Sequence, residues 1–327
     1  MSDITRPAPA PGSLLARLAG NNQLVLLVIL VVLCIAISMG APQFYSVENV
    51  IAILRQCSLV LIIAAGMTML LIAAEVDLSV GASLAFSGVV AMDVTNKTGS
   101  VAMGAAAGIL FGGLVGVFNG LVVTRLRVNS LIATIATMMI LQGGVFLYSR
   151  EAVQNMHLQR AFTDISTGYI GPIPVPVIIA AVVFVVAYVV LRHTTLGRYI
   201  YATGANERAA RLSGIRPERL KLIVFVVTGL LTGLAGLILA SLMNAGQPTA
   251  GRGFELTVVA AVILGGTSLT GGRGSLLGTL LGVLVLKVID NGIIILRWDQ
   301  NLQMVVPGVV IILATYLDLV RKKRDAT

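Results

Sequence analysis

Ten apolar runs take up most of this chain: 24–39, 56–74, 78–92, 101–123, 131–148, 173–191, 222–243, 256–270, 275–296 and 302–320. Charges or clusters of Gly, Pro and Asn separate them. An α-helix needs about 20 apolar residues to cross the hydrocarbon core of a bilayer. Eight of the runs come near that length, and 78–92 and 256–270 fall short of it with 15 residues each. The chain has 327 residues, 57% of them hydrophobic and 11% charged, with a mean hydropathy of +0.96. One soluble core cannot hide that much apolar surface, and disorder needs the opposite composition. The expected fold is an all-α polytopic membrane protein of about ten transmembrane helices. A polar leader over 1–22 precedes a single transmembrane domain over 23–320, and a basic tail over 321–327 follows. The first run lacks a cleavage site with a soluble domain behind it, so it reads as a retained span.

Lys and Arg orient the spans. With the N-terminus inside and ten crossings, 16 of the 23 basic residues fall in inner segments, six fall outside and Lys287 lies within a span. This bias puts both termini in the cytoplasm. It also accounts for most of the +9 net charge, and no basic domain outside the membrane is left to bind nucleic acid.

The two short runs resemble each other at an offset of 178. Val76-Asp77-Leu78-Ser79-Val80 aligns with Phe254-Glu255-Leu256-Thr257-Val258, and Gly88 falls on Gly266. The topology makes one run outward-going and the other inward-going, so the halves are inverted repeats with short, interrupted helices. Such pairs point to a transport pathway between the halves. Asp77 and Glu255 are costly in hydrocarbon. They face a pathway or gate, with Ser79 and Thr257 beside them, or they cap the helices that follow. Glu75 adds a third carboxylate at the cytoplasmic edge. Asn119 and Gln247 can hydrogen-bond a polyhydroxy solute or join helices to one another. Lys287 and Asp290 lie three apart on one face and read as an internal ion pair.

Gly104, Gly108, Gly112, Gly116 and Gly120 recur every four residues, as do Gly274, Gly278 and Gly282, and Gly229 and Gly233 form a further pair. Each set lies on one stripe where another helix can approach closely. The two His and two Cys have no metal-ligand spacing. The glycine-rich stretch 265–275 lacks the Gly-Lys-Ser/Thr of a phosphate loop. The chain therefore holds no nucleotide or metal site of its own.

The inner loop over 192–221 is the largest cytoplasmic feature. Asn206 can cap a short helix, with Glu207 in its first turn and Ala209, Ala210 and Leu212 extending it. Gly214 fits the left-handed position after it. Pro217 suits the first position of the next helix.

These residues resemble the membrane subunits of bacterial monosaccharide ABC importers, the ribose/arabinose/xylose permease group. The stretches that carry the likeness are Gly66-Met67-Thr68, then Asp77 to Gly81, Leu196-Gly197-Arg198-Tyr199, and Gly204 to Gly214. Gln247-Pro248-Thr249 and Gly253 to Leu256, running on to Gly272, complete the pattern. The resemblance implies a permease that performs no chemistry itself and sits multi-pass in the bacterial inner membrane. It pairs with a second permease subunit, the same or similar, and takes its sugar from an extracytoplasmic binding protein. A cytoplasmic ATP-binding cassette subunit, which carries the ATP and magnesium, docks on Gly204, Asn206, Glu207, Ala209, Ala210 and Gly214. Asp77 and Glu255 begin the two broken helices. A polyol or a furanosyl signal molecule could replace the sugar. An autonomous proton- or sodium-coupled carrier is the other class consistent with an inverted repeat and carboxylates.

Overall fold

The structure, a computed structural model, describes residues 22–156 and 159–325. The leader up to residue 21, His157 and the end of the basic tail lie outside them. All ten apolar runs form helices. The first is α1 (Asn22–Gly40), followed by a 3₁₀ turn at Pro42–Tyr45. The first half of the bundle continues with α2 (Val47–Ile72), α3 (Val80–Thr98), α4 (Val101–Thr124) and α5 (Ser130–Tyr148). A loop follows that carries strand β1 (Val153–Gln154), helix α6 (Arg160–Thr167) and the hairpin of β2 (Tyr169–Ile170) and β3 (Ile173–Pro174). The second half holds α7 (Val175–His193), α8 (Thr195–Ala205), α9 (Glu207–Leu212), α10 (Pro217–Met243) and strand β4 (Ala245–Gly246). It ends with α11 (Phe254–Leu264), α12 (Leu276–Ile295) and α13 (Leu302–Asp325).

Among the described residues, seven helices, α1, α2, α4, α5, α7, α10 and α12, are long and apolar enough to cross a membrane. The chain is an all-α polytopic membrane protein. The other three runs supply α3, α11 and α13. Here one expectation needs correcting. The run over 78–92 is short only in apolar count; its helix continues to Thr98 and has 19 residues. Asp93 ends the apolar stretch without ending the helix, because Lys97 pairs with it one turn on at 2.7 Å and the Tyr148 hydroxyl donates to it. Helix α11 is short indeed, with 11 residues. Gly266 therefore lies in a turn at φ +88° while Gly88 is in mid-helix, so the 178-residue correspondence does not extend that far.

Burial sorts the helices into layers. Every residue of α2 from Cys57 to Ile72 is buried, and α12 is largely enclosed. Much of α1 and α7 is exposed and apolar, as a lipid-facing helix should be. Helices α4 and α10 pack more extensively than any other pair. Their seam is glycine on both sides. A Cβ at Gly112 would meet the Gly229 carbonyl at 2.4 Å, and one at Gly116 would meet that of Phe225 at 2.4 Å. Gly108 abuts Ser87 and Ala91 of α3. Gly278 and Gly282 bring α12 onto Gly265 and Ala261. Backbone-to-backbone packing replaces a driving force that lipid does not supply.

The ends of the helices fall on two faces. One face gathers Gln23 at the start of α1, bonded to Ser275 before α12, with the α8–α9 unit against the end of α2. The other gathers β1 paired with β4, α6, and Asn49 bonded to Asn291. Helix α6 is amphipathic and only eight residues long, so an apolar-run reading passes over it. Its Phe162 is fully buried, and its backbone holds the Ser241 hydroxyl of α10 at 2.6 Å.

Candidate functional site

Two stretches of non-helical backbone among the described residues precede α3 and α11, and their buried amides need partners. The first, residues 73–79, joins α2 to α3. Ala74 takes a left-handed φ of +62°, and the Ala74 and Glu75 amides bond back to Leu71 and Leu70 at 3.0 and 2.9 Å. Hydroxyls from the first turns of α5 accept the next amides, Ser130 from Val76 at 3.3 Å and Thr134 from Leu78 at 3.1 Å.

Asp77 sits in this break, 2% exposed. It accepts from the Ser79 amide at 2.8 Å, the Ser79 hydroxyl at 2.6 Å and the Asn119 amide nitrogen of α4 at 3.3 Å. Asn119 also donates to the Ser79 hydroxyl at 2.8 Å and accepts from Thr137 of α5 at 2.7 Å. Asp77, Ser79 and Asn119 thus come together, with Thr137, in one closed knot of three elements. Sequence reading missed Ser130, Thr134 and Thr137. Their spacing of four and three places them on one face of α5, which was the available signal.

The second break, 244–253, joins α10 to α11. Asn244 turns the chain at φ +51° and pairs with Asn155, and β4 then adds to β1. The segment descends along α3, with Gly246 against Gly88 and Val89, then Gly251 against Gly81 and Leu84. This covers about 10 Å of a helix about 28 Å long. The Glu255 carboxylate closes on Gly81, where a Cβ would lie 2.1 Å from its oxygen. Thr257 bonds back to the Gly253 carbonyl at 3.4 Å, and Gln247 donates to Thr249 at 3.2 Å. Thr249, Arg252 and Leu256 are exposed. Gln142 of α5 joins Arg252, Pro248 and Ala82 around a narrow crevice there.

The two carboxylates differ, contrary to the symmetric expectation. Asp77 precedes its helix by three residues, and Ser79 is the N-cap, without a side-chain cap bond. Glu255 lies in the first turn of α11, whose N-cap is Gly253 at φ +77°. The second break is the longer, so the halves are out of register here. Asp77 is enclosed, whereas Glu255 is only half-buried. The two groups form separate clusters joined through Gly81.

On the face shared with Gln23, residues 192–221 hold two helices where one was expected. His193 is the last residue of α7 rather than part of a loop. Thr194 caps α8, accepting from Gly197 at 3.3 Å. Asn206 caps α9, accepting from Ala209 at 3.0 Å, with Glu207 next to it and Ala210 buried beneath. Gly214 follows at φ +84° and Pro217 opens α10. Gly204 presses on the end of α2 and on the turn after α11; a Cβ would stand 1.7 Å from the Ile72 carbonyl and 2.7 Å from the Gly272 amide. The Gly272 amide donates to Ile72 at 2.9 Å. The α8–α9 unit is thus fastened to the edge of the first break and to the turn that follows α11.

Ion pairs extend the fastening. Lys221 of α10 reaches Glu75 and Glu207, each at 2.7 Å. Arg211 reaches Glu207 at 3.2 Å and Glu218 at 2.7 Å. Lys221, hydrogen-bonded to Glu207, holds that carboxyl below the usual carboxylate range, against a smaller opposing effect of burial and with Arg211 assisting. Elsewhere Lys287 and Asp290 pair at 2.7 Å within α12, as their spacing predicts.

Multiple apolar spans, interrupted helices meeting between two halves and a helical unit on one face define a membrane transport permease. The chain matches the family described as the permease component of the branched-chain amino acid transport system over residues 49–315. It belongs to that permease family, as a multi-pass inner-membrane protein. The ribose import permease protein of Escherichia coli K12 is 40% identical over 299 residues, covering 89% of this chain and 92% of that one. The corresponding protein of Haemophilus influenzae is 41% identical over 292 residues, covering 88% and 90%. An L-arabinose ABC transporter permease protein of Azospirillum brasilense is 37% identical over 326 residues, covering 98% and 96%. The likeness to sugar-importer permeases read from the motifs is therefore met along nearly the whole chain. No solved structure matches it.

Proposed function

We propose that this chain is the permease subunit of an ATP-binding-cassette importer for a monosaccharide, ribose and arabinose being the first candidates. Two permease subunits, identical or similar, enclose the path. An extracytoplasmic binding protein delivers the sugar, and a separate cytoplasmic ATPase binds ATP and magnesium and docks on α9. The path opens alternately to the two sides. The chain performs no chemistry of its own.

The observation that carries this reading is the fastening of α8–α9, through Gly204, Ile72 and Gly272, to the edge of the first helix break and to the turn after the short helix α11. A carrier driven by an ion gradient has no use for an exposed capped helix joined to its pathway. An importer needs one, because force must travel from the ATPase to the gate. Glu255, Thr257 and Gln247 line the water-facing side of the second break in this reading. Asp77, Ser79 and Asn119 hold the first break rigid and so position the path.

Native mass spectrometry of the chain extracted in mild detergent from its own membrane tests the reading. Two permease copies, or one with a similar permease, together with an ATPase chain are expected. Uptake of labelled ribose and arabinose should then vanish when Glu207 and Gly214 are replaced. A chain that purifies without any ATPase and transports normally with those replacements would be an autonomous secondary transporter.

A further inference from the structure

Two kinds of contact join the α8–α9 unit to the rest of the molecule. One is steric, through Gly204. The other is electrostatic and runs Glu75–Lys221–Glu207. The Lys221 ammonium lies 2.7 Å from Glu75 Oε1 on one side and 2.7 Å from Glu207 Oε2 on the other. Glu75 and Lys221 expose only 9% and 15% of their side chains, so their attraction is little screened. Glu207 is 44% exposed and belongs to the outward-facing α9. Its second oxygen is held by Arg211, whose other partner is Glu218. This brace keeps Glu207 in place against Lys221.

Glu75 lies two residues before Asp77. Its amide is tied to Leu70, the Val76 amide to Ser130, and Asp77 to Ser79 and Asn119. The segment between them is too short and too firmly held to absorb a displacement of Glu75. A shift of α9 therefore has a rigid electrostatic route to the first break.

We infer that Lys221 is a positioning residue that transmits movement of α9 to the break before α3, by bridging Glu207 and Glu75. This deepens the importer reading, and only the transport part of its test rests on that reading.

Hydrogen exchange on the whole chain in detergent tests the route by itself. In Glu207→Gln and Lys221→Met, the amides of 75–79 are expected to exchange about fivefold faster than in the wild type. Glu75→Gln should do the same. Combining Glu75→Gln with Lys221→Met should add nothing further, because one link is already broken. Lys221→Arg should restore the wild-type rate. If Glu207→Gln speeds α9 alone and leaves 75–79 unchanged, the inference is wrong. It is equally wrong if Lys221→Arg behaves as Lys221→Met. In the importer purified with its ATPase and reconstituted in liposomes, Lys221→Met should keep the ATPase bound but move several-fold less labelled ribose per ATP hydrolysed. An unchanged ratio overturns the inference. Absence of an ATPase from the wild-type preparation sinks the importer reading instead, and the exchange result then decides the inference.

Discussion

A single buried carboxylate organises the first break. Asp77 accepts the Ser79 amide, the Ser79 hydroxyl and the Asn119 side chain. Each buried donor left without a partner costs about 1–3 kcal/mol. Asp77→Ala is therefore expected to lower stability by about 3 kcal/mol or more, and Asp77→Asn, which keeps one acceptor oxygen, by less; thermal unfolding in detergent checks the order. Glu207 supports a prediction about pH. Its carboxyl titrates below the usual range because Lys221 stabilises the charged form, with Arg211 assisting. The stabilisation of α9 is then complete above the ordinary carboxylate value and fades as pH falls through the lower folded-state value. Exchange protection of α9 should hold between pH 5 and 7 by this sign, a window that brackets the midpoint of no ordinary carboxylate (about 4.3 for Glu). Glu207→Gln should abolish the loss seen at more acid pH.

Between elements, the seam of α4 and α10 is the place where size matters most. A methyl at Gly112 would press on the Gly229 carbonyl and the Gly233 backbone, which cannot swing aside as a side chain can. Gly112→Ala should destabilise by about 1–3 kcal/mol, and Gly112→Leu should abolish folding into the membrane. Gly143 of α5 has nothing within 4 Å of its would-be Cβ. Gly143→Ala should be neutral or slightly stabilising, since Ala is the better helix former by about 1 kcal/mol. Expression yield and melting temperature, measured side by side, separate the two glycines. Gly214 is a third case. It has room for a methyl but sits at φ +84°, so Gly214→Ala should cost about 1–2 kcal/mol in backbone strain.

For the whole molecule, the two faces defined by contacts must match the two sides defined by charge. Arg198 lies on α8, the helix whose Gly204 abuts the end of α2. Lys97 lies at the opposite end of α3, next to the 149–156 loop. In a background without Cys34 and Cys57, a membrane-impermeant maleimide added to intact cells should label Lys97→Cys and spare Arg198→Cys. Labelling of Arg198→Cys would invert the orientation taken from the positive-inside bias.

The sequence by itself determined the class of fold, the helical state of all ten apolar runs and the capped helix at Asn206. Those depend on local length, composition and cap chemistry, and each is written within a few neighbouring residues. The glycine stripes were legible too, because a four-residue period marks one helix face whatever partner it meets. What lies on the other side of a stripe is not local, and only tertiary packing set Gly112 against Gly229. The same holds for the breaks. Composition marked 78–92 as short, yet the paired Asp93, Lys97 and Tyr148 let that helix run on to Thr98. Two carboxylates that look equivalent in an alignment became different things. Asp77 was closed off by Asn119 and Thr137, which approach from other helices, while Glu255 was left half-open against Gly81. The bridge from Glu207 through Lys221 to Glu75 spans three separate parts of the chain. No sequence period could reveal it, because a charge chooses its partner by distance in space.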